Sequence, residues 1–318
     1  MVERPSESPA VMLQARADLL AAVRDFFRQR QVMEVETPLL GATTATDPHL
    51  DSIAVDDVFM QDSRRFFLQT SPEFAMKKLL AAGSGSIYQV CKAFRRDERG
   101  RRHHPEFTML EWYRTGFDEQ QLMDEVAELV SGITGRPAPR RTTYRQLFQQ
   151  TLELDPHDCS DETLTQEAHR HIDFDSRGYS RDELLHLLLA EVVEPALVDD
   201  CFVYDFPTCL AALARIAPDI SGVPVARRFE LFMDGMEIAN GYWELTDAAE
   251  QRRRFEADLD QRARLGRESL PLDEELVAAL ERGLPDCAGV ALGLDRLLMI
   301  VSGARQIDDV LVGPLSTP

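Results

Sequence analysis

The stretch Cys91–Tyr113, CKAFRRDERGRRHHPEFTMLEWY, sets five arginines and two histidines between two apolar segments. The segments SIYQVCKAF and EFTMLEWYRT that flank the charge are rich in β-formers, so the stretch reads as a strand, a long loop and a returning strand. Long loops held between paired strands are commonly functional. The rest of the chain is acidic: 318 residues carry 35 Lys and Arg against 55 Asp and Glu, a net charge of −20. That balance opposes non-specific association with nucleic-acid phosphates and anionic lipid, while a local basic patch can still bind an anion. Taken alone, the arginine run reads first as a solvated surface loop.

Working outward, Leu13, Ala17, Leu20 and Phe27 recur at helical spacing and predict a helix over about 11–30. A short strand in VMEVETPLL stops at Pro38. RRFFLQTSPEFAMKKLLAAGSG predicts a strand, then a helix capped by Ser71 with Pro72 in its first position and ended by Gly83. Residues 118–196 read as mostly helical, broken at GRPAPR and DPHDCSDE. Strands follow in CFVYDFP, in RRFELFMDGMEIANGYWEL with a turn at Asp234-Gly235, and in CAGVALGLD. Helices are expected over about 247–265, 273–282 and from Leu294 to Val301. Strands with hairpins and intervening helices imply an α+β domain on a largely antiparallel sheet, with 118–196 as an insertion and 1–10 as a disordered leader. The five cysteines form no C-x-x-C pair and read as reduced thiols. No apolar run is long enough to span a bilayer, so a cytoplasmic protein off the membrane is expected.

Four constellations could carry chemistry. Arg95, at the end of a strand, is placed to hold phosphate through its guanidinium fork. Glu237 and Glu244 in GMEIANGYWEL lie on opposite faces of an unbroken strand, and a bulge at Asn240-Gly241 would let both carboxylates converge on Mg²⁺. They read equally as exposed glutamates flanking a turn. In GVALGLDRLLM the small residues Gly289, Ala291 and Gly293 allow a flat ligand close to the backbone. Arg296, unfavourable near a helix N-terminus, implies a compensating anion. In TSPEFAMKKLL, Glu73 is by itself a plain helix-start residue.

Together and in this order the segments resemble the three motifs of a class II aminoacyl-tRNA synthetase core: FFRQRQVMEVETP, FRRDERGRRHHPEFTMLEWY and GVALGLDRLLM. TSPE, HHPEFTMLEWY and GMEIANGYWELTD resemble the lysyl-tRNA synthetase branch. With only about a dozen residues before the first motif, an anticodon-binding domain is expected to be absent. A catalytic core of that kind is similar to the elongation factor P lysine ligases, in which alanine stands at the position of Ala291 where lysyl-tRNA synthetases have glycine. The resemblance implies that Arg95 binds the α-phosphate of ATP, Phe107 stacks on adenine and Arg296 binds the γ-phosphate. Arg96, Asp97, His104, Glu237, Ile238 and Gly293 complete the nucleotide set. It also implies that Ser71, Pro72, Glu73, Tyr113, Glu244 and Ala291 contact the amino acid, and that Glu237 and Glu244 serve Mg²⁺. Asp97, His104 and Trp243 depart from the family's usual glutamate, asparagine and histidine or serine.

The implied reaction is activation of (R)-β-lysine or lysine as an adenylate and its transfer to a lysine of elongation factor P, by a homodimer formed through the first motif. The alternatives are a free-standing enzyme charging tRNA or another acceptor, which the net charge opposes, and a non-catalytic paralogue. The central Arg99, Arg101 and Arg102 are expected to face the protein acceptor.

Overall fold

A computed structural model describes residues 9–56 and 65–313. Of the expected leader, residues 1–8 lie outside the described residues, and Pro9 and Ala10 already belong to the first helix, α1 (Pro9–Gln29). Its helical spacing buries Met12, Leu19, Val23 and Phe27 on one face. Three short strands follow: β1 (Met33–Glu34), then β2 (Leu40–Gly41) and β3 (Ala54–Val55), which both pair with β4 (Phe66–Leu68) in a small separate sheet. Helix α2 (Glu73–Ala81) begins one residue later than expected. Pro72 occupies the cap position, and Ser71 Oγ only approaches the Glu73 amide at 3.4 Å.

The arginine stretch folds as read, with β5 (Ile87–Phe94) and β6 (Glu106–Thr115) antiparallel from Ile87↔Tyr113 to Phe94↔Glu106. After α3 (Glu119–Thr134) comes a strand that the sequence reading took for a helix break, β7 (Arg140–Thr143). Four residues behind a proline pair carry too little β-pattern to announce themselves. They become a strand because they find the edge of β8 (Cys201–Phe206), in parallel register. Between these lie α4 (Tyr144–Leu152), α5 (Asp161–His171) and α6 (Arg181–Leu188), the last running into a π-turn over Leu189–Val193. The chain then adds β9 (Ile216–Pro218), β10 (Pro224–Met233), β11 (Met236–Trp243), α7 (Ala248–Arg264), α8 (Glu274–Gly283), β12 (Cys287–Gly293) and α9 (Leu294–Ser302). The β10–β11 turn has Asp234 and Gly235 at φ 49° and 62°, left-handed backbone that a tight hairpin requires.

The main sheet runs β1-β5-β6-β12-β11-β10-β8-β7, with β9 beside β10, and only the β1/β5 and β7/β8 pairs are parallel. The expected α+β fold on a mostly antiparallel sheet is therefore present. Residues alternate between its faces. Leu110, Trp112, Phe229, Leu231, Ala239, Val290 and Leu292 point into a core closed by α1, α3 and α9. On the opposite face, α2, α7 and α8 bury one end around Met76, Leu80 and Phe255. Helices α4–α6 bury the other end around Tyr144, Phe148 and Leu185. A polar strip between these two cores remains, and the candidate site lies there.

One buried charge ties α1 to this frame. Asp295, 1 % exposed, meets Arg16 Nη2 at 2.5 Å and accepts the Thr108 amide at 2.6 Å, while the same Arg16 nitrogen donates to the Val310 carbonyl. Asp295→Ala leaves Arg16 without its counter-charge and is expected to cost about 3–5 kcal/mol, read from the urea denaturation midpoint.

Candidate active site

Directly opposed residues on neighbouring strands share a face, so the ladder registers define the floor of the site. Tyr113, Glu111 and Met109 of β6 lie beside Gly289, Ala291 and Gly293 of β12, with Phe107 on the same face one step further along β6; Asn240 and Tyr242 of β11 come next, then Arg228 and Glu230 of β10. At one end Arg95 extends from β5. Its guanidinium lies 5.1 Å from the centre of the Phe107 ring, Nη1 is 3.5 Å from Glu98, and its backbone amide is tied to the Pro105 carbonyl. Arg296, in the first turn of α9, converges from the other side. It donates to the carbonyls of Glu237 (2.7 Å) and Arg102 (3.2 Å), and its Nη2 lies 2.6 Å from His103 Nε2. A guanidinium is always a donor, so His103 accepts there as the neutral imidazole. Desolvation of the ring and the Arg296 charge both lower its pKa. This end thus offers an aromatic ring and two held guanidinium groups.

The other end holds carboxylates. Lys77 of α2 is buried, with Nζ 2.7 Å from both Glu73 and Glu244. Burial alone would depress the Lys77 pKa, but Glu244 and Glu73 outweigh it and raise it. Beside this pair the Tyr113 hydroxyl donates to Glu111 Oε1 at 2.7 Å. Burial and the charge of Glu73 push Glu111 up to about 8, and burial pushes Glu244 up to about 7. Buried acceptors in this strip without a hydrogen-bond partner include Glu111 Oε2, Glu244 Oε1, Asn240 Oδ1 and Gln89 Oε1, the last on the residue directly opposite Glu111. Unpartnered buried acceptors on carboxylates are costly unless a cation fills the space between them.

The sequence pattern described as tRNA synthetases class II (D, K and N) matches residues 4–317. The chain belongs to that family. Among its relatives is a protein named elongation factor P--(R)-beta-lysine ligase from Vibrio parahaemolyticus, 48% identical over 308 residues that cover 95% of each chain. Proteins of the same name from Pseudoalteromonas translucida and Haemophilus influenzae are 49% and 44% identical, over 96% and 93% of this chain and 96% and 92% of theirs.

Several residues of this class II synthetase core stand differently from the sequence reading. The bulge that turns the two glutamates to one face is at Ile238, where the register passes from Leu231↔Ala239 to Phe232↔Glu237, and not at Asn240-Gly241, which pair regularly. The carboxylates face one side but do not share partners: Glu237 approaches Arg296 at 3.9 Å, while Glu244 is buried against Lys77. Lys77 supplies the counter-charge of Glu244, as Arg228 does for Glu230. Glu230, absent from the sequence reading, feels Glu237 instead. Burial raises its pKa to about 8 against the pull of Arg228, and the charges of Glu237 and Glu194 add to the rise. Among the described residues no cluster of three or more His, Cys, Asp or Glu is arranged to hold a metal.

Gly289 makes room for protein and not directly for ligand. A Cβ there would lie 2.3 Å from Tyr113 Cε1 and 2.4 Å from Glu244 Oε1. Arg96 lines a cavity with Asp51, Arg262 and Arg267, and Asp97 is an exposed turn residue at φ 60°. Arg102 donates to the Gly235 carbonyl at 2.5 Å and so braces the β10–β11 turn, whereas Arg99 and Arg101 are exposed. His104 is buried, with Nδ1 2.7 Å from the Glu106 carbonyl, and Trp243 donates to Asp286 at the end of β11. Ser71 and Pro72 precede α2 beside Glu73, and Ile238 is buried in the core at the bulge. Glu111 and Lys77 were missed. Their only sequence signal is a charge inside an apolar strand or helix face, a pattern common enough in surface segments to pass unnoticed.

Proposed function

We propose that this chain activates (R)-β-lysine or lysine with ATP and transfers it to a lysine side chain of elongation factor P. Two things support the reading: the names carried by relatives that match nearly the whole chain, and the charge count of the carboxylate pocket. Glu73, Glu111 and Glu244 stand against the single ammonium of Lys77, leaving a surplus of two negative charges beside the orphaned Glu111 Oε2 and Glu244 Oε1. A diamino acid carries two ammonium groups, and buried charges are tolerated when paired. That surplus is the observation that carries the proposal.

With the amines held there, the substrate carboxylate is directed toward Arg95 and Phe107. A carboxylate oxygen attacks the α-phosphorus of ATP, the bond from that phosphorus to the bridging oxygen breaks, and pyrophosphate leaves. The acceptor amine then attacks the adenylate carbonyl carbon, the bond from that carbon to the bridging phosphate oxygen breaks, AMP leaves with that oxygen, and the amine gives up a proton as the amide forms. The chain's part is positioning and charge stabilisation, with Arg95 and Arg296 holding developing phosphate charge and no side-chain nucleophile required. A bound Mg²⁺ would neutralise phosphate charge. Glu237 and Glu230 are the carboxylates that would hold it, and Asn240 Oδ1 is a neighbouring unpartnered oxygen. In this reading the ligase is a cytoplasmic homodimer through α1 and β1, where Val11, Leu13 and Met33 are exposed, and tRNA is not its acceptor. Among the described residues no helix is long and apolar enough to cross a membrane.

The test is ATP–pyrophosphate exchange with lysine and with (R)-β-lysine, followed by addition of elongation factor P. Exchange with either isomer and label on the factor is expected; label on bulk tRNA alone would replace the proposal with the synthetase alternative. The pH dependence has a definite sign. Raised carboxylate pKa values favour the protonated, empty pocket, and a diammonium substrate needs it ionised. The lysine KM is therefore expected to fall as pH rises from about 6 to about 8.5, with the ATP KM nearly constant. By the same linkage the native state without substrate binds more protons than the unfolded chain, so its thermal midpoint falls over that range. A flat lysine KM would remove the carboxylates from amine recognition.

A further inference from the structure

Arg16 of α1 meets the sheet on the face that Thr108 shares with Leu110 and Trp112, opposite the site floor. Two routes nevertheless run from its guanidinium to the nucleotide end. The first passes through Asp295. The β6–β12 ladder ends at Met109↔Gly293, and the Thr108 amide one step beyond is taken by Asp295 Oδ2 at 2.6 Å. Arg16 Nη2 holds the other oxygen of that carboxylate at 2.5 Å, and Nη1 lies 3.4 Å from Thr108 Oγ1. Asp295 is the residue before Arg296, and Thr108 is the residue after Phe107. One buried carboxylate therefore spaces the aromatic ring of β6 from the guanidinium of α9, and Arg16 holds that carboxylate from behind the sheet.

The second route passes through the C-terminal turn. Arg16 Nη2 also donates to the Val310 carbonyl at 2.7 Å. Val310 closes the short helical turn Ile307–Asp309, and the Ile307 amide donates to the Arg101 carbonyl at 2.8 Å. Arg101 stands beside Arg102 and His103, whose carbonyl and ring nitrogen meet Arg296. Both routes end on the Arg296 side chain, one through its own helix and one through the loop that it grips.

From this geometry we infer that Arg16 is a positioning residue for the nucleotide end: it fixes the separation and aim of Phe107 and Arg296 without touching ATP. The inference rests on the ATP reading above and adds to it a residue of α1. A displacement of about 1 Å in such a frame is enough to cost up to about a hundredfold in rate.

The test uses the full chain as wild type, Arg16→Lys, Arg16→Met, and Arg16→Met combined with Asp295→Asn. Arg16→Met is expected to raise the ATP KM in pyrophosphate exchange at least about tenfold, with the lysine KM changed by no more than about twofold. Arg16→Lys keeps a charge without the planar fork, so it cannot hold Asp295, Thr108 and Val310 together and recovers only part of the loss. The double variant buries no unpaired carboxylate, and the introduced amide oxygen still accepts from the Thr108 backbone. Its urea midpoint is expected to return toward wild type while its ATP KM stays raised at least about fivefold. An ATP KM that recovers along with stability overturns the inference, because Arg16 would then be a structural strut. Lysine and ATP KM values that rise together overturn it as well, as does a defect seen only with a changed sedimentation coefficient. If Arg16→Met does not fold, Arg16→Lys and the double variant still decide.

The ATP reading fails differently. Wild type would then bind no ATP in calorimetry and exchange no pyrophosphate, and the role of Arg16 is read without nucleotide from amide hydrogen exchange. Peptides over residues 99–108 are expected to exchange faster in the double variant than in wild type, while those over 73–81 keep the wild-type rate. Unchanged exchange over 99–108 rejects the positioning role in that case.

Discussion

Arg95→Ala is expected to reduce pyrophosphate exchange by about 10³-fold, with the lysine KM changed by no more than a few-fold. The reason is geometric. Arg95 leaves the end of β5 with its backbone pinned to Pro105 and its guanidinium over Phe107, so the charge is delivered to one place before any ligand arrives. Preorganised charge of this kind acts on the transition state because it needs no reorganisation as the phosphorus becomes five-coordinate. Arg95→Lys keeps a charge but not the planar fork, and it is expected to recover only part of the loss. A rise in the lysine KM with exchange at saturation preserved would move Arg95 from the phosphate end to the amino-acid end.

Gly289→Ala should be strongly damaging for a single added methyl group. Its Cβ would meet Tyr113 Cε1, Tyr113 Cδ1 and Glu244 Oε1 at 2.3, 2.5 and 2.4 Å. None can retreat easily: Tyr113 is 2% exposed and bonded to Glu111, and Glu244 is 1% exposed and paired with Lys77. Overpacking of this sort costs about 1–3 kcal/mol, and here the displaced atoms are those of the amine pocket. The lysine KM is expected to rise about a hundredfold or more, with the ATP KM nearly unchanged and the urea midpoint lowered. Gly293→Ala is the contrast, because its Cβ would find Arg296 Cδ at 3.6 Å, an ordinary contact. It should leave stability intact, so any loss of ATP binding reports directly on the nucleotide. Equal effects of the two variants on the lysine KM would show that the packing around Gly289 is not what shapes the pocket.

Much of this was legible in order along the chain. The strands β5 and β6, the Asp234-Gly235 hairpin, the strand β12 and the helix that opens with Arg296 all follow from β-rich runs and turn residues, which are local signals. The paired strands also carry Arg95, Phe107 and Tyr113 to one face by simple alternation. Parity showed that a bulge was needed between Glu237 and Glu244, and the bulge is there. Its place, at Ile238, depends on how β10 and β11 share the core, and residues 237–244 hold no mark of that.

The partnerships lay further out of reach. Lys77, Glu111 and Glu244 come from a helix, a strand and a strand end far apart in sequence, and a charge in each segment has an unremarkable surface reading on its own. Only packing takes them out of water together, and only then does the Coulomb interaction become strong enough to decide which carboxylate is paired and which is left over. The order of the motifs, the class of fold and the arginines proposed for phosphate were determined by the sequence alone, because period-two alternation and a permanent guanidinium charge need no neighbours to be read. Which glutamate meets Lys77, which approaches Arg296 and which keeps an unpartnered oxygen was decided by tertiary structure, because burial sets the value of a charge and burial belongs to the fold.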